Sequence, residues 1–83
     1  MDKGTVLAVN PRNLRIAVCV DGDSCAVFEL GSAYDVQVGH RLRGNLESEF
    51  CFALENLSTA EMLDVTRLGH YESLEEARKA IGL

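Results

Sequence analysis

The sequence predicts an all-β fold, a small five-stranded antiparallel barrel with a short C-terminal α-helix. Residues 14–30, LRIAVCV-DGD-SCAVFEL, are two apolar, β-branched runs around an Asp-Gly turn, the pattern of a β-hairpin. A second alternating run covers residues 49–55, and residues 73–83 have the pattern of an amphipathic helix. A chain of 83 residues is long enough for one domain and too short for two. We therefore predict one domain over residues 1–83.

The first strand is predicted over residues 3–10, KGTVLAVN, where apolar and other side chains alternate weakly. The turn sequence Asn-Pro-Arg-Asn follows, and Pro11 suits the second position of a type I turn. Together with the hairpin, this strand makes a three-stranded antiparallel meander. Such a meander is the usual opening of a small β-barrel.

The hairpin allows two registers, and its side-chain pattern decides between them. A two-residue loop mixes a carboxylate, that of Glu29, into an apolar row. A three-residue loop over residues 21–23 pairs Ile16 with Phe28 and leaves one face wholly apolar, so we predict this register. The opposite face then carries the cross-strand pairs Arg15 and Glu29, Ala17 and Val27, and Cys19 and Cys25.

Three later segments are also predicted as strands. Residues 36–44 bend and end in a short strand bracketed by two glycines, which suit a sharply curved barrel corner. Residues 49–55, EFCFALE, form the next strand because their apolar side chains alternate strictly. Residues 61–71 fit either a strand or a helix, and a Val-Thr pair and a glycine favour the strand. The chain thus offers five or six strands, from which we predict a five-stranded barrel.

The C-terminal helix is predicted over about residues 73–81. Ser73 and Glu76 have the spacing of a capping box, and the basic pair Arg78 and Lys79 lies in the last turn. The apolar face carries Leu74, Ala77 and Ile81. A helix of this length is not stable alone, so we expect its apolar face to pack on the sheet.

Two short motifs and the hairpin link the chain to known barrels. KGTV at residues 3–6 is similar to the opening of cold-shock domains, and VGHRLRG at 38–44 is similar to the Val-Gly-Asp-x-Val-x-Gly corner of small RNA-binding barrels, with His40 in place of the aspartate. On these motifs the chain resembles the oligonucleotide/oligosaccharide-binding (OB) barrel family. It also resembles a group of small bacterial proteins that share a Gly-Thr-Val-Leu-Ala-Val-Asn start and an Asp-Gly-Asp hairpin ending in Val-Phe-Glu-Leu. These resemblances imply an OB-like barrel from a bacterium and do not imply an activity.

Charge and hydropathy narrow the possible functions. The formal net charge of −5 opposes the approach of a nucleic acid backbone. No run is long and apolar enough for a membrane-spanning helix, and the amino terminus lacks the pattern of a secretory signal, so we expect a cytoplasmic protein. Neither a nucleophile elbow nor a glycine-rich phosphate loop is present, and the glutamates suit solvated or helix-capping positions. We therefore predict no enzymatic activity, no catalytic residues and no cofactor.

The three cysteines, Cys19, Cys25 and Cys51, allow three interpretations. All lie in apolar runs where reduced, buried thiols are common, and this is the favoured interpretation for a cytoplasmic protein. Cys19 and Cys25 face each other across the predicted hairpin, close enough for a disulfide, which a reducing compartment disfavours. A zinc site with His40 or His70 is least favoured because the spacing exceeds that of a zinc knuckle, and we predict no metal site.

The outer face of the hairpin is the predicted interaction surface. Ala17, Cys19, Cys25 and Val27 are together too apolar for contact with water, so either the C-terminal helix or another chain must cover them. We predict a binding or assembly module whose partner is another protein. A homodimer through this face follows if the helix packs elsewhere.

The alternative function is weak binding of single-stranded nucleic acid through an arginine-bearing barrel face. This face consists of Arg12, Arg15, Arg41 and Arg43. Base stacking on aromatic side chains supplies roughly 1–3 kcal/mol per base in such proteins. The hairpin has one aromatic residue, Phe28, and the predicted register turns it inward, so nucleic acid is the less favoured partner.

Overall fold

Two three-stranded antiparallel meanders close into one barrel in the computed structural model, which describes residues 2–20 and 24–83. The elements are β1 (Asp2–Asn10), β2 (Arg15–Val20), β3 (Ser24–Leu30), β4 (Arg41–Gly44), β5 (Ala53–Asn56), β6 (Glu61–Tyr71) and α1 (Leu74–Ala80). The strand order around the barrel is β1-β2-β3-β6-β5-β4, and β1 pairs with β4 to close it. The all-β fold with a short C-terminal helix is therefore confirmed.

The barrel has six strands rather than the predicted five. All six strands lie in segments that the sequence predicted as strands, and β6 joins the two meanders by pairing with β5 along residues 61–64 and with β3 along residues 65–71. An OB barrel has five strands and is partly open. The closed six-stranded barrel is thus OB-like only at the coarse level of a small antiparallel barrel.

The register predicted for the central hairpin is confirmed. Ile16 lies opposite Phe28 and Cys19 lies opposite Cys25, and the backbone N–H of Leu30 donates to the carbonyl of Leu14 at 2.7 Å. The predicted three-residue loop at 21–23 lies outside the described residues. The apolar face of the hairpin points into the barrel, as alternation along paired strands requires.

The later strands are shorter than predicted, except for the last. The fourth strand begins only at Arg41, and the fifth is restricted to Ala53–Asn56. The segment 61–71, which the sequence left between strand and helix, is a strand throughout. At the end of β4, a Cβ on Gly44 would lie 2.6 Å from Cδ2 of the buried Leu54 side chain and 3.2 Å from the carbonyl oxygen of Ala53, so a larger residue here would require Leu54 to move.

Two apolar clusters hold the molecule together. The first fills the barrel around Phe28, which is fully buried. The second lies outside the barrel, between the outer face of the hairpin and α1, and includes Ala77 and Ile81 of the helix region. The barrel therefore has an internal core and a smaller external one beneath the helix.

The helix α1 is held at both ends. The Ser73 hydroxyl caps its amino end by accepting from the backbone N–H of Glu76 at 3.2 Å. At its carboxyl end the side-chain amides of Asn10 and Asn13 donate to the carbonyl of Ile81, at 2.7 and 2.9 Å. These bonds satisfy a carbonyl that the helix itself leaves free and attach α1 to the β1–β2 turn. In the part of the chain that the structure describes, no helix has the length and apolar character needed to cross a membrane.

Candidate functional site

A groove opens on the outside of the barrel beside β4, β5 and the start of β6. Its volume is about 470 Å³, within the usual range of ligand-binding clefts. It is bounded by outward-facing residues of the three strands and by the connection between β4 and β5, residues 45–52. We call it the β4–β5 groove, and it is lined by Arg43, Gly44, Asn45, Phe50, Cys51, Phe52, Ala53, Glu55 and Met62.

Three large apolar side chains of the β4–β5 groove are exposed to solvent. Phe50 is 77% exposed, Phe52 65% and Met62 61%. Single exposed apolar residues are ordinary, but a cluster around a concave surface marks a site of interaction. Aromatic residues and methionine are also the residue types enriched in protein–protein interfaces.

The exposure of the two phenylalanines contradicts the regular strand predicted for this segment. The strand β5 begins only at Ala53, and the buried side chain before it is that of Cys51, not Phe50 or Phe52. Phe52 and Ala53 are both exposed, so the alternation is interrupted immediately before Leu54 returns to the core. Side chains along a strand alternate between the core and the solvent. One extra exposed residue in this alternation therefore moves the rings of both phenylalanines from the core side to the solvent side.

An ion pair lies along one side of the groove. Arg43 and Glu55 are direct cross-strand partners on β4 and β5, and Nη2 of the arginine lies 2.5 Å from Oε1 of the glutamate. Both side chains are partly exposed, so the pair contributes at most about 1 kcal/mol to stability. Its main effect on the groove is that the positive charge of Arg43 is already neutralised.

The thiol of Cys51 lies buried at the groove. Burial raises the pKa of Cys51 above its ordinary value of 9.0, although hydrogen bonds to backbone groups and the nearby Arg67 act in the opposite direction. Its Sγ donates to the carbonyl of Ala53 at 3.6 Å. Since the thiolate is the reactive form, this cysteine is a poor nucleophile at neutral pH and serves as apolar lining.

Carboxylates flank the exposed apolar residues. Glu49 precedes Phe50 and Glu61 precedes Met62, and both glutamates are exposed. Among the described residues, neither glutamate takes part in a salt bridge. Asp64, also exposed, lies opposite the groove residue Ala53 across β5 and β6. Consecutive residues of a strand face opposite sides of the sheet, so Glu61 lies on the face of β6 opposite Met62, and none of these three carboxylates lines the groove.

The interaction surface predicted from the sequence lies elsewhere and is covered. Ala17, Cys19, Cys25 and Val27 are all buried in the external core beneath α1. The sequence allowed either the C-terminal helix or another chain to cover this face, and in the structure the C-terminal helix covers it. The condition attached to a homodimer through this face, that the helix packs elsewhere, is not met here.

Cys19 and Cys25 form a disulfide bond, and the reduced state that the sequence favoured for them is wrong. The predicted register placed them opposite each other, which is the arrangement that the bond requires. The preference for free thiols rested on the expected cytoplasmic location, which stays a prediction. Cys51 is the free cysteine and is buried.

The arginines predicted for nucleic acid binding do not form one cluster. They are Arg12, Arg15, Arg41 and Arg43. Arg15 pairs with Asn10 at one end of β1, whereas Arg41 pairs with Thr5 from the other side of the same strand. The five-residue step from Thr5 to Asn10 is about 16 Å along the strand. Arg15 also forms an ion pair with Glu29 at 3.5 Å.

The structure also brings together one pair of residues with catalytic potential that the sequence did not indicate. Oγ of Ser24 lies 2.5 Å from Nε2 of His70, across β3 and β6, in an exposed position. The hydrogen bonds of the described residues give His70 no carboxylate partner, so this pair lacks the third group of a catalytic triad. No metal-ligating group of three or more side chains occurs within residues 2–20 and 24–83.

Comparison of the chain with protein-family models, with curated proteins and with solved structures finds no match. The β4–β5 groove is therefore the feature of the molecule that points to a function.

Proposed function

We propose that this protein is a non-enzymatic binding module and that its partner is another protein, bound in the β4–β5 groove. The observation that supports this proposal is the joint exposure of Phe50, Phe52 and Met62 around one concave surface. Full burial of a side chain of this size is worth about 1.5–3 kcal/mol. Three such side chains are enough to act as the central anchors of an interface.

The groove also has the other properties of a docking site. The strands β4, β5 and β6 hold Arg43, Glu55 and Met62 in fixed cross-strand register, so these groups are positioned before a partner arrives. A preorganised surface binds with a smaller loss of conformational entropy. The partly exposed Arg43–Glu55 pair supplies polar groups beside the apolar anchors, as at the rim of typical interfaces.

Site-specific crosslinking tests the proposal. Phe52 is replaced by the photoreactive p-benzoylphenylalanine in cells that make the protein, and the same residue is introduced at Val38 as a control. Val38 is 62% exposed and does not line the groove. We expect a discrete protein adduct from position 52, its loss when Phe50→Ser is added, and no such adduct from position 38. Equal adducts from both positions, or none from position 52, would overturn the proposal.

Single-stranded nucleic acid is a second candidate because the exposed rings of Phe50 and Phe52 lie beside Arg43 in one groove. Stacking of bases on such rings, combined with a cation, is a common mode of single-strand binding. The neutralised arginine and the formal net charge of −5 make it the weaker candidate. Anisotropy of a labelled mixed-sequence RNA, measured between about 50 and about 200 mM salt, distinguishes the two, since backbone binding weakens steeply with salt.

A further inference from the structure

We propose that α1 is a lid over a redox-sensitive switch, the Cys19–Cys25 disulfide, and that the bond is reduced from a state in which α1 has lifted while the barrel stays closed. This inference goes beyond the proposed function and does not depend on the β4–β5 groove. It follows from where the disulfide lies, from the separation of the two cores and from the way in which α1 is attached.

The first step is the burial of the bond. Cys25 is fully buried and Cys19 is 6% exposed, and both belong to the external core that also contains Ala77 and Ile81. A reducing thiolate must reach one of the two sulfur atoms in order to attack it. The helix α1 packs against β2 and β3, the strands that carry the two cysteines. It therefore has to move before a thiolate can reach either sulfur.

The second step is the independence of the barrel from α1. The internal core around Phe28 and the external core beneath the helix share no residue. The strands are held by their own hydrogen-bonded ladders, and β1 closes the barrel by pairing with β4. Lifting α1 therefore opens the external core and leaves the barrel paired and filled. Such partial openings cost less free energy than global unfolding.

The third step is the way in which α1 is attached. It has seven residues, too few for a helix that is stable alone. Ala77 and Ile81 are its fully buried anchors, and the side-chain amides of Asn10 and Asn13 attach its carboxyl end to the β1–β2 turn through the carbonyl of Ile81. A short element held by so few groups opens before the barrel does.

Reduction by a dithiol proceeds in two exchange steps. A thiolate of the reductant attacks Sγ of Cys19, the more exposed residue of the pair, so that a mixed disulfide forms and Cys25 leaves as a thiolate that takes up a proton. The second thiol of the reductant then attacks the mixed disulfide, which releases Cys19 as a thiol and the reductant as its own internal disulfide. Two electrons pass from the dithiol to the protein, and two protons end on the cysteines.

The consequence is that α1 controls how long the bond persists in the presence of thiols. While the helix is docked the disulfide is protected, and the population of the lifted state sets the rate of reduction. Loss of the bond then lowers the stability of the whole chain, because the unfolded state is no longer constrained.

Reduction kinetics of the oxidised full chain with excess dithiothreitol test the inference. Samples are quenched with acid and alkylated in denaturant, where the number of reactive thiols rises from one to three. Ile81→Ala weakens the docking of α1 and is expected to speed reduction at least about thirtyfold. The matched control Leu63→Ala removes a fully buried side chain from the internal core and is expected to change the rate by less than about threefold.

Two measurements on the unmodified chain do not depend on whether Leu63→Ala folds. The logarithm of the reduction rate is expected to rise with urea at less than about half the slope of global unfolding, since lifting α1 exposes little surface. The amide proton of Ile81 donates to the carbonyl of Ala77 at 3.1 Å, and that of Val65 donates to the carbonyl of Phe52 within the barrel at 3.0 Å. After correction for intrinsic rates, we expect the Ile81 amide to exchange at least about tenfold faster than the Val65 amide.

Three results would overturn the inference. Equal acceleration by Ile81→Ala and Leu63→Ala, or a urea slope equal to that of global unfolding, would mean that the bond is reduced only from the unfolded chain. Reduction that Ile81→Ala does not accelerate would mean that α1 does not protect the bond. An Ile81 amide that exchanges as slowly as the Val65 amide would mean that α1 opens only together with the barrel.

Discussion

Reduction of the Cys19–Cys25 disulfide is expected to destabilise the protein by about 2 kcal/mol. The bond joins residues with a sequence separation of 6, so it removes the closure entropy of a short loop from the unfolded chain. The loop-entropy relation, 2.1 + 1.5R ln n cal/mol/K, gives about 7.4 cal/mol/K for n = 6, or about 2.2 kcal/mol at 298 K. This is a large share of the stability of a chain of this size.

Urea unfolding followed by circular dichroism measures this effect. With a slope near 1 kcal/mol/M, the midpoint is expected to fall by about 2 M when a reductant is added. The double variant Cys19→Ala/Cys25→Ala is expected to unfold near the reduced midpoint with or without reductant. Cys51→Ala, which retains the disulfide, is the matched control and is expected to respond to reductant as the unmodified chain does.

Thiol counting under denaturing conditions gives an independent check. Of the three cysteines, one is expected to react before reduction and all three afterwards. Three reactive thiols before reduction, or identical unfolding midpoints with and without reductant, would refute the reasoning.

Two further predictions concern α1 and the buried thiol. Ile81→Ala removes a fully buried side chain from the external core and is expected to lower the free energy of unfolding in urea by about 2–5 kcal/mol. The control Leu83→Ala, at a half-exposed position nearby, should change it by less than about 1 kcal/mol. Equal losses in the two variants would contradict the packing of α1. Because the pKa of Cys51 is raised above 9.0 in the folded chain, the unfolded chain loses that proton first, so stability should fall as pH rises above 9.0, and the fall should be smaller in Cys51→Ala. A pH profile of the unfolding free energy that is identical in the two chains would count against this assignment.

The parts of the fold that the sequence predicted are those that depend on local patterns. The hairpin register followed from the requirement that Ile16 and Phe28 share an apolar face, and both are buried in the barrel. The helix followed from Ser73 and its spacing to Glu76, and the structure shows the predicted cap.

The closure of the barrel was not predictable in the same way. All six strands lie in segments that the sequence predicted as strands, but their arrangement depends on pairings such as those of Glu61–Tyr71 with two different strands, which join residues far apart in sequence. The oxidation state of Cys19 and Cys25 could not be predicted from the sequence pattern either. The strand register determines the distance between the two cysteines, but the redox conditions of the compartment determine whether they form a disulfide.

The groove was missed for a different reason. Phe50, Phe52 and Leu54 have the spacing of one strand face, and only the interruption at Ala53 puts the two rings on the outside. A signal was present in the sequence Glu-Phe-Cys-Phe, since a buried cysteine between two phenylalanines is the same alternation shifted by one residue. The alternation alone does not show whether the two phenylalanines or the cysteine between them face the core.

The most direct test of the central claim compares stability with binding in the double variant Phe50→Ser/Phe52→Ser. Both rings are exposed in the free protein, so their removal should change the free energy of unfolding by no more than about 0.5 kcal/mol. Binding of the protein identified by crosslinking should weaken at least about a hundredfold, since the two rings are the proposed anchors. A variant that loses several kcal/mol of stability, or that binds as the unmodified protein does, would contradict the claim that these rings are exposed to receive a partner.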